Sequence, residues 1–266
     1  MPYLNVSLLP MMRLMVLIIC AATASGTSFA DVADCGELKN YSDIGPWDYA
    51  DPSSSASTGA DPMGRIRRVE NVHFNPEMKM LNTKRYSVEK LTVEIHYTLR
   101  VFPNHPEALL AISRLERMAG GKLPQSSATI FTPKISAYCF FDRAIRFRPE
   151  DKAVRFSYAI HLHQNRKYQE ALEQYKLAEP QYEDNRFFHY NLGLLYADMK
   201  NWEKAVDYAQ RAYSSGVTFP ALRQKIEKAG YKIEMPVARV AIPAGQPNVE
   251  ADPLPAPPRS GERDIK

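Results

Sequence analysis

Several signatures of catalysis are missing from this 266-residue chain. There is no G-x-S-x-G elbow, no H-E-x-x-H helix and no P-loop, so serine hydrolysis, zinc hydrolysis and nucleotide cleavage of those types lack a recognisable centre. Histidine is thinly placed. His161 and His163 stand two apart on a helical stretch, so their side chains point about 200° from each other and do not easily share a metal. Long apolar runs are lacking too: Leu14 to Ala22 covers roughly half the ~20 residues of a membrane span. The basic run Arg65-Ile66-Arg67-Arg68 has no stacked aromatic array around it, so it reads as a solvated patch rather than a nucleic-acid site. No enzyme activity, metal or cofactor is expected, a hydrolase hidden in the non-repeat insertions being the least favoured alternative.

Cysteine is scarce, with three residues, and the start of the chain decides how they read. Arg13 precedes the apolar run and small residues follow from Thr23 to Ser28, the layout of a secretory signal over residues 1–30. Ala30 and Ala24 both end small-x-small cleavage sites, and Met11 or Met12 would serve as a more compact start. Cys20 invites lipidation, but Ile19 fills the place where a lipoprotein signal needs a small residue, so no lipid anchor is expected. Export leaves Cys35 and Cys139 in an oxidising compartment, where an isolated pair is expected to form a disulfide; two unpaired thiols are the alternative. The bridge would close a loop of about a hundred residues, worth roughly 4–5 kcal/mol at best in the chain-entropy model. Cys139 is expected on an outward face of its helix, and Asp142 and Arg143 are expected to be solvated.

Residues 31–75 read as an irregular arm: Tyr41, Trp47, Tyr49 and Phe74 are scattered among Gly, Pro, Asp and Ser. Asp51 to Gly64 has the composition of a mobile linker. Regular structure is expected over 76–231. Glu77 to Leu81, Val88 to Phe102, Glu107 to Met118 and Ile135 to Phe147 each carry helical periodicity, broken by Pro103 to Pro106 and by loop chemistry from Gly120 to Pro133. Phe219 to Gly230 reads as a closing helix with a polar outer face. Residues 232–266 hold seven prolines and no period, which predicts a disordered tail.

The stretch from Asp151 to Gly216 is one helical hairpin written twice. Tyr158 falls on Leu192, Tyr168 on Trp202, Ala171 on Ala205 and Ala178 on Ala212, each pair 34 residues apart. Apolar residues at i, i+3, i+4 and i+7 make each half an amphipathic helix. Small residues recur where helices must approach closely: Ala159 and Gly193 in the first helix, alanines in the second. This pattern resembles the tetratricopeptide repeat (TPR), L-G-x2-Y followed by A-x3-F, departing at Ala209 and His189. Ala144 to Pro149 is similar to the closing segment of such a repeat. The step from Pro103 to Pro149 is 46 residues, one period plus a 12-residue insertion. The resemblance implies an all-α fold: an α-α superhelix of about three and a half stacked hairpins.

It also implies where a partner would bind. In this family the concave face is lined by the first helix of each pair. Matching positions here are Phe156, Ile160, His163 and Gln164, then Phe187, Tyr190, Asn191, Leu194 and Asp198, with Leu110 and Arg114 at one end and Lys225 at the other. Such a groove suits a peptide or protein partner. Two other readings stay open: the rings simply pack against neighbouring helices, or the arm fills the groove with Trp47 and Tyr49 as plugs. The family's carboxylate clamp is not expected, because only Asn191 and Lys225 look similar to it. The implied role is an exported scaffold or adaptor of the bacterial envelope, in the periplasm, with a permanent assembly subunit as the alternative.

Overall fold

The computed structural model describes residues 35–38, 44–125 and 135–233. The expected signal segment and almost all of the expected tail, residues 234–266, lie outside them. Every regular element among the described residues is a helix. Three short ones come first: α1 (Pro52–Ser55), α2 (Arg65–His73) and α3 (Pro76–Lys79). Then follow α4 (Val88–Val101), α5 (Pro106–Met118) and α6 (Ala137–Phe147). Two hairpins come next, α7 (Lys152–Gln164) with α8 (Tyr168–Tyr182), and α9 (Arg186–Asp198) with α10 (Trp202–Ser214). The last helix is α11 (Ala221–Lys228).

Polar side chains set the helix starts. Ser87 Oγ accepts from Lys90 N–H, and Ser136 Oγ from Cys139 N–H. Asp151 accepts from the Ala153 and Val154 amides, and Asn185 from those of Phe187 and Phe188. Each such contact satisfies a donor that the first turn would otherwise leave orphaned. Asp151 and Asn185 are 34 residues apart, and so are both ends of α7 and α9. The turns after these helices reverse through Arg166 and Lys200, at φ 62° and 60°. A cation there also complements the negative end of the helix dipole.

Small residues decide how closely the hairpins pack. Ala171, Ala178, Ala205, Ala209 and Ala212 are all fully buried. α7 lies along α8 and α9 along α10; α8 and α7 in turn meet α9, and α11 rests on α9 and α10. Between the hairpins Phe156 sits 5.1 Å from Phe188 and 5.2 Å from Tyr182 by ring centroid, with Tyr175 at 5.8 Å. At Gly193 an added Cβ would come within 2.7 Å of Leu222 Cδ2 and 3.4 Å of Tyr208 Cβ. Gly193 therefore stands at a three-helix crossing of α9, α10 and α11.

The arm is more ordered than its composition suggests. Asp51 caps α1, and Ser54 is buried. The basic run belongs to α2, whose Ile66 and Val69 are buried against Tyr49, Val101 and Phe102. Arg65 lies over the Trp47 ring at 4.6 Å, and Arg68 pairs with Asp61. Asn104 ties the arm to the helices: its Oδ1 accepts from Tyr49 N–H at 2.9 Å, and its Nδ2 donates to Asp48 and Asp151. Tyr49 Oη donates to Glu70 at 2.9 Å, and His105 Nε2 lies 3.2 Å from the same oxygen. Burial would raise the Glu70 carboxyl, but His105, the Lys79 charge and Tyr49 outweigh it and bring it down to about 2.

Cys35 and Cys139 lie at disulfide distance, 2.02 Å between sulfurs and 5.0 Å between Cα atoms. Cys139 does not face solvent as the repeat pattern implied: it is fully buried, because the arm crosses that face of α6. Arg143 is likewise buried, not solvated, and donates to the Cys35 carbonyl at 2.5 Å. Asp142, by contrast, pairs with Arg146 on the partly exposed side.

Two expectations follow for stability. Gly193→Val would push γ-carbons into the crossing and lower urea-unfolding stability by about 1–3 kcal/mol. Gly193→Ala would stay within about 1 kcal/mol of the parent, since its helix-propensity gain offsets turning the Leu222 tip. A valine variant as stable as the parent would contradict the crossing. Separately, burial holds His96 and His161 down to about 4 and also lowers His105 and His189. The unfolded chain takes up these protons near pH 6.5, so stability should fall as pH drops from 6.5 towards 4. Urea midpoints at pH 7 and pH 5, at constant ionic strength, check this; an unchanged or higher midpoint at pH 5 would contradict it.

Candidate functional site

A cavity of about 400 Å³ opens where α7, α9 and α11 come together. Its walls are His163, Gln164, Arg166, Tyr168, Leu194, Asp198 and Lys225. Spacing explains the assembly: His163 and Gln164 end α7, Leu194 and Asp198 are one turn apart on α9, and Lys225 is central in α11.

Asp198 is the electrostatic centre of this cavity. His163 Nε2 lies 2.9 Å from its Oδ2, and Lys225 Nζ donates to its Oδ1. Burial would raise the Asp198 carboxyl, but these two contacts win and hold it below the usual carboxylate range. The other ring nitrogen of His163, Nδ1, is buried without a hydrogen bond. A proton there would be a buried donor with no acceptor, so of the two tautomers the one with its proton on Nε2, donated to Asp198, fits the site. Tyr168 meets the His163 ring edge-on at 5.9 Å, and Leu194 supplies the apolar wall. Arg166 stands exposed at the rim. The arrangement offers charge and a shallow apolar wall, which suits binding.

Of the residues expected to line a groove, His163, Gln164, Leu194, Asp198 and Lys225 come together here. Others are placed differently. Phe156, Ile160, Tyr190 and Asn191 are fully buried and cannot line an open face. Phe156 and Ile160 belong to the core between hairpins, and Asn191 Nδ2 donates back to the Phe187 carbonyl at 2.8 Å. Tyr190 packs 5.5 Å from Phe219. Phe187 is half-buried beside Phe219, 6.3 Å away, and Leu110 is half-buried against the same core. Arg114 lies partly exposed on α5 near Arg117, away from the cavity walls. Trp47 and Tyr49 do not plug the cavity: they pack 5.8 Å from Phe102, at the end of α4.

Sequence reasoning missed Arg166 and Tyr168. Both lie in and after the turn Gln164-Asn165-Arg166-Lys167, whose sequence shows a polar break followed by an aromatic and nothing that marks a binding wall. The 34-residue match of Arg166 with Lys200, both basic, was the available signal. Among the described residues no group of three or more His, Cys, Asp or Glu could hold a metal, and no helix is long and apolar enough to cross a membrane. Comparison with protein-family models, curated proteins and solved structures found no match.

Proposed function

We propose that the chain is an exported, non-catalytic scaffold or adaptor of the bacterial envelope, working in the periplasm. Its helices would act as TPR-like hairpins stacked into a superhelix, with a protein or peptide partner bound on the inner side. The observation carrying this reading is the cavity at α7, α9 and α11: successive first helices and the closing helix contribute to one recess. The order of packing is also what stacking requires, each hairpin resting on the next along the chain. A cysteine pair at disulfide distance suits an oxidising compartment.

A photo-crosslinking residue tests the proposal when placed at Tyr168, in the cavity wall, and in parallel at Leu177, which is exposed on α8 and outside that wall. Irradiation in envelope extracts should give a discrete protein adduct from position 168 and none from position 177. Equal labelling at both sites, or none at 168, would contradict a partner held in this recess.

A further inference from the structure

We propose that this cavity recognises an acidic side chain, Asp or Glu, inside a partner polypeptide, with a neighbouring apolar side chain laid on Leu194 and Tyr168. The inference rests on the scaffold reading above and adds the chemistry of what is held. Charge decides the sign. The formally charged walls are Arg166, Asp198 and Lys225. Asp198 is already engaged twice, by His163 and by Lys225, and so is largely spent as an attractor of cations. Arg166 is exposed and makes no ion pair or side-chain hydrogen bond among the described residues. The recess therefore presents one positive charge in excess, on a planar fork that fits a carboxylate through two parallel hydrogen bonds.

The opposite occupant is disfavoured by the same groups. An incoming Lys or Arg would have to displace Lys225 from Asp198 while facing Arg166. A carboxylate meets neither obstacle, and the two spare ammonium donors of Lys225 remain available to it. The apolar wall adds a second requirement, because Leu194 and Tyr168 exclude water beside the charge and strengthen its pairing. A free chain end gains little here: Gln164 is the one amide in the wall, and Asn191 on α9 is fully buried and committed to the Phe187 carbonyl. The acid is accordingly placed within a segment.

Pools of amidated ten-residue peptides test this, each fixed at the centre as Glu, Gln or Lys with degenerate apolar neighbours, bound to the immobilised full-length mature protein. The Glu pool should be retained about tenfold over the Gln pool, as loss of a charge-assisted contact implies, with the Lys pool retained least. Arg166→Glu should reverse the order of the Glu and Lys pools while leaving the circular dichroism unchanged, since the side chain is exposed. Glu peptides with a free carboxyl end should bind like the amidated ones. Equal retention of Glu and Gln, preference for Lys, or binding that needs the free end would each overturn the inference. If the crosslinker at position 168 still captures a protein while the pools fail in this way, the acidic preference falls and the scaffold reading stands. If neither captures anything, both fall.

Discussion

Close approach of helix backbones is the constraint on which this structure depends. Ala171 and Ala178 let α7 lie along α8, and Ala205, Ala209 and Ala212 do the same for α9 and α10. Gly193 adds the third body by admitting Leu222 of α11 to a point where no side chain would fit without movement. Helix packing distance follows the size of the residues at the contact, so the same small positions set the same hairpin twice. The ends of α7 and α9 then fall in register, and α11 reaches across them. The recess around Asp198 is a consequence of that register.

The beginning of the described chain is fastened by different means. Apolar packing of Trp47 and Tyr49 on Phe102, the buried amide of Asn104, and the Cys35–Cys139 pair act at three separate places. Asn104 is central among them, since it touches the arm through Asp48 and Tyr49 and also the cap of α7 through Asp151. A buried side-chain amide with both ends satisfied specifies one arrangement strongly, because any other leaves polar atoms unpaired. The arm thereby covers the side of α4 and α6, and the recess lies elsewhere, on α7, α9 and α11.

Much of this was legible because it is local. The alanine spacing and the 34-residue offset are properties of short segments, and the helices they predict are present. The repeat resemblance had put His163, Gln164, Leu194, Asp198 and Lys225 in one expected groove, together with seven other residues. Burial was harder to read. α9 is buried continuously from Phe188 to Ala197, so it has no polar face by which to tell groove from core. α7 is buried almost as fully, and Phe156 and Ile160 there, like Tyr190 on α9, were lost to the core for that reason. α2 escaped notice because its nine residues are mostly charged or polar, with Ile66 and Val69 the buried apolar positions. Arg143 and Cys139 could not be placed from α6 alone, since what covers them is a segment more than a hundred residues earlier.

The proposed stacking requires that α7 to α11 hold together neighbour by neighbour and not around one shared centre. Hydrogen-exchange mass spectrometry of Ala209→Leu tests it most directly, because a larger side chain there prises α10 from α9 and acts on nothing farther away. Nearest-neighbour packing predicts early loss of amide protection in α9, α10 and α11, with α7 and α8 still protected as in the parent. Simultaneous loss across α7 to α11 would contradict it.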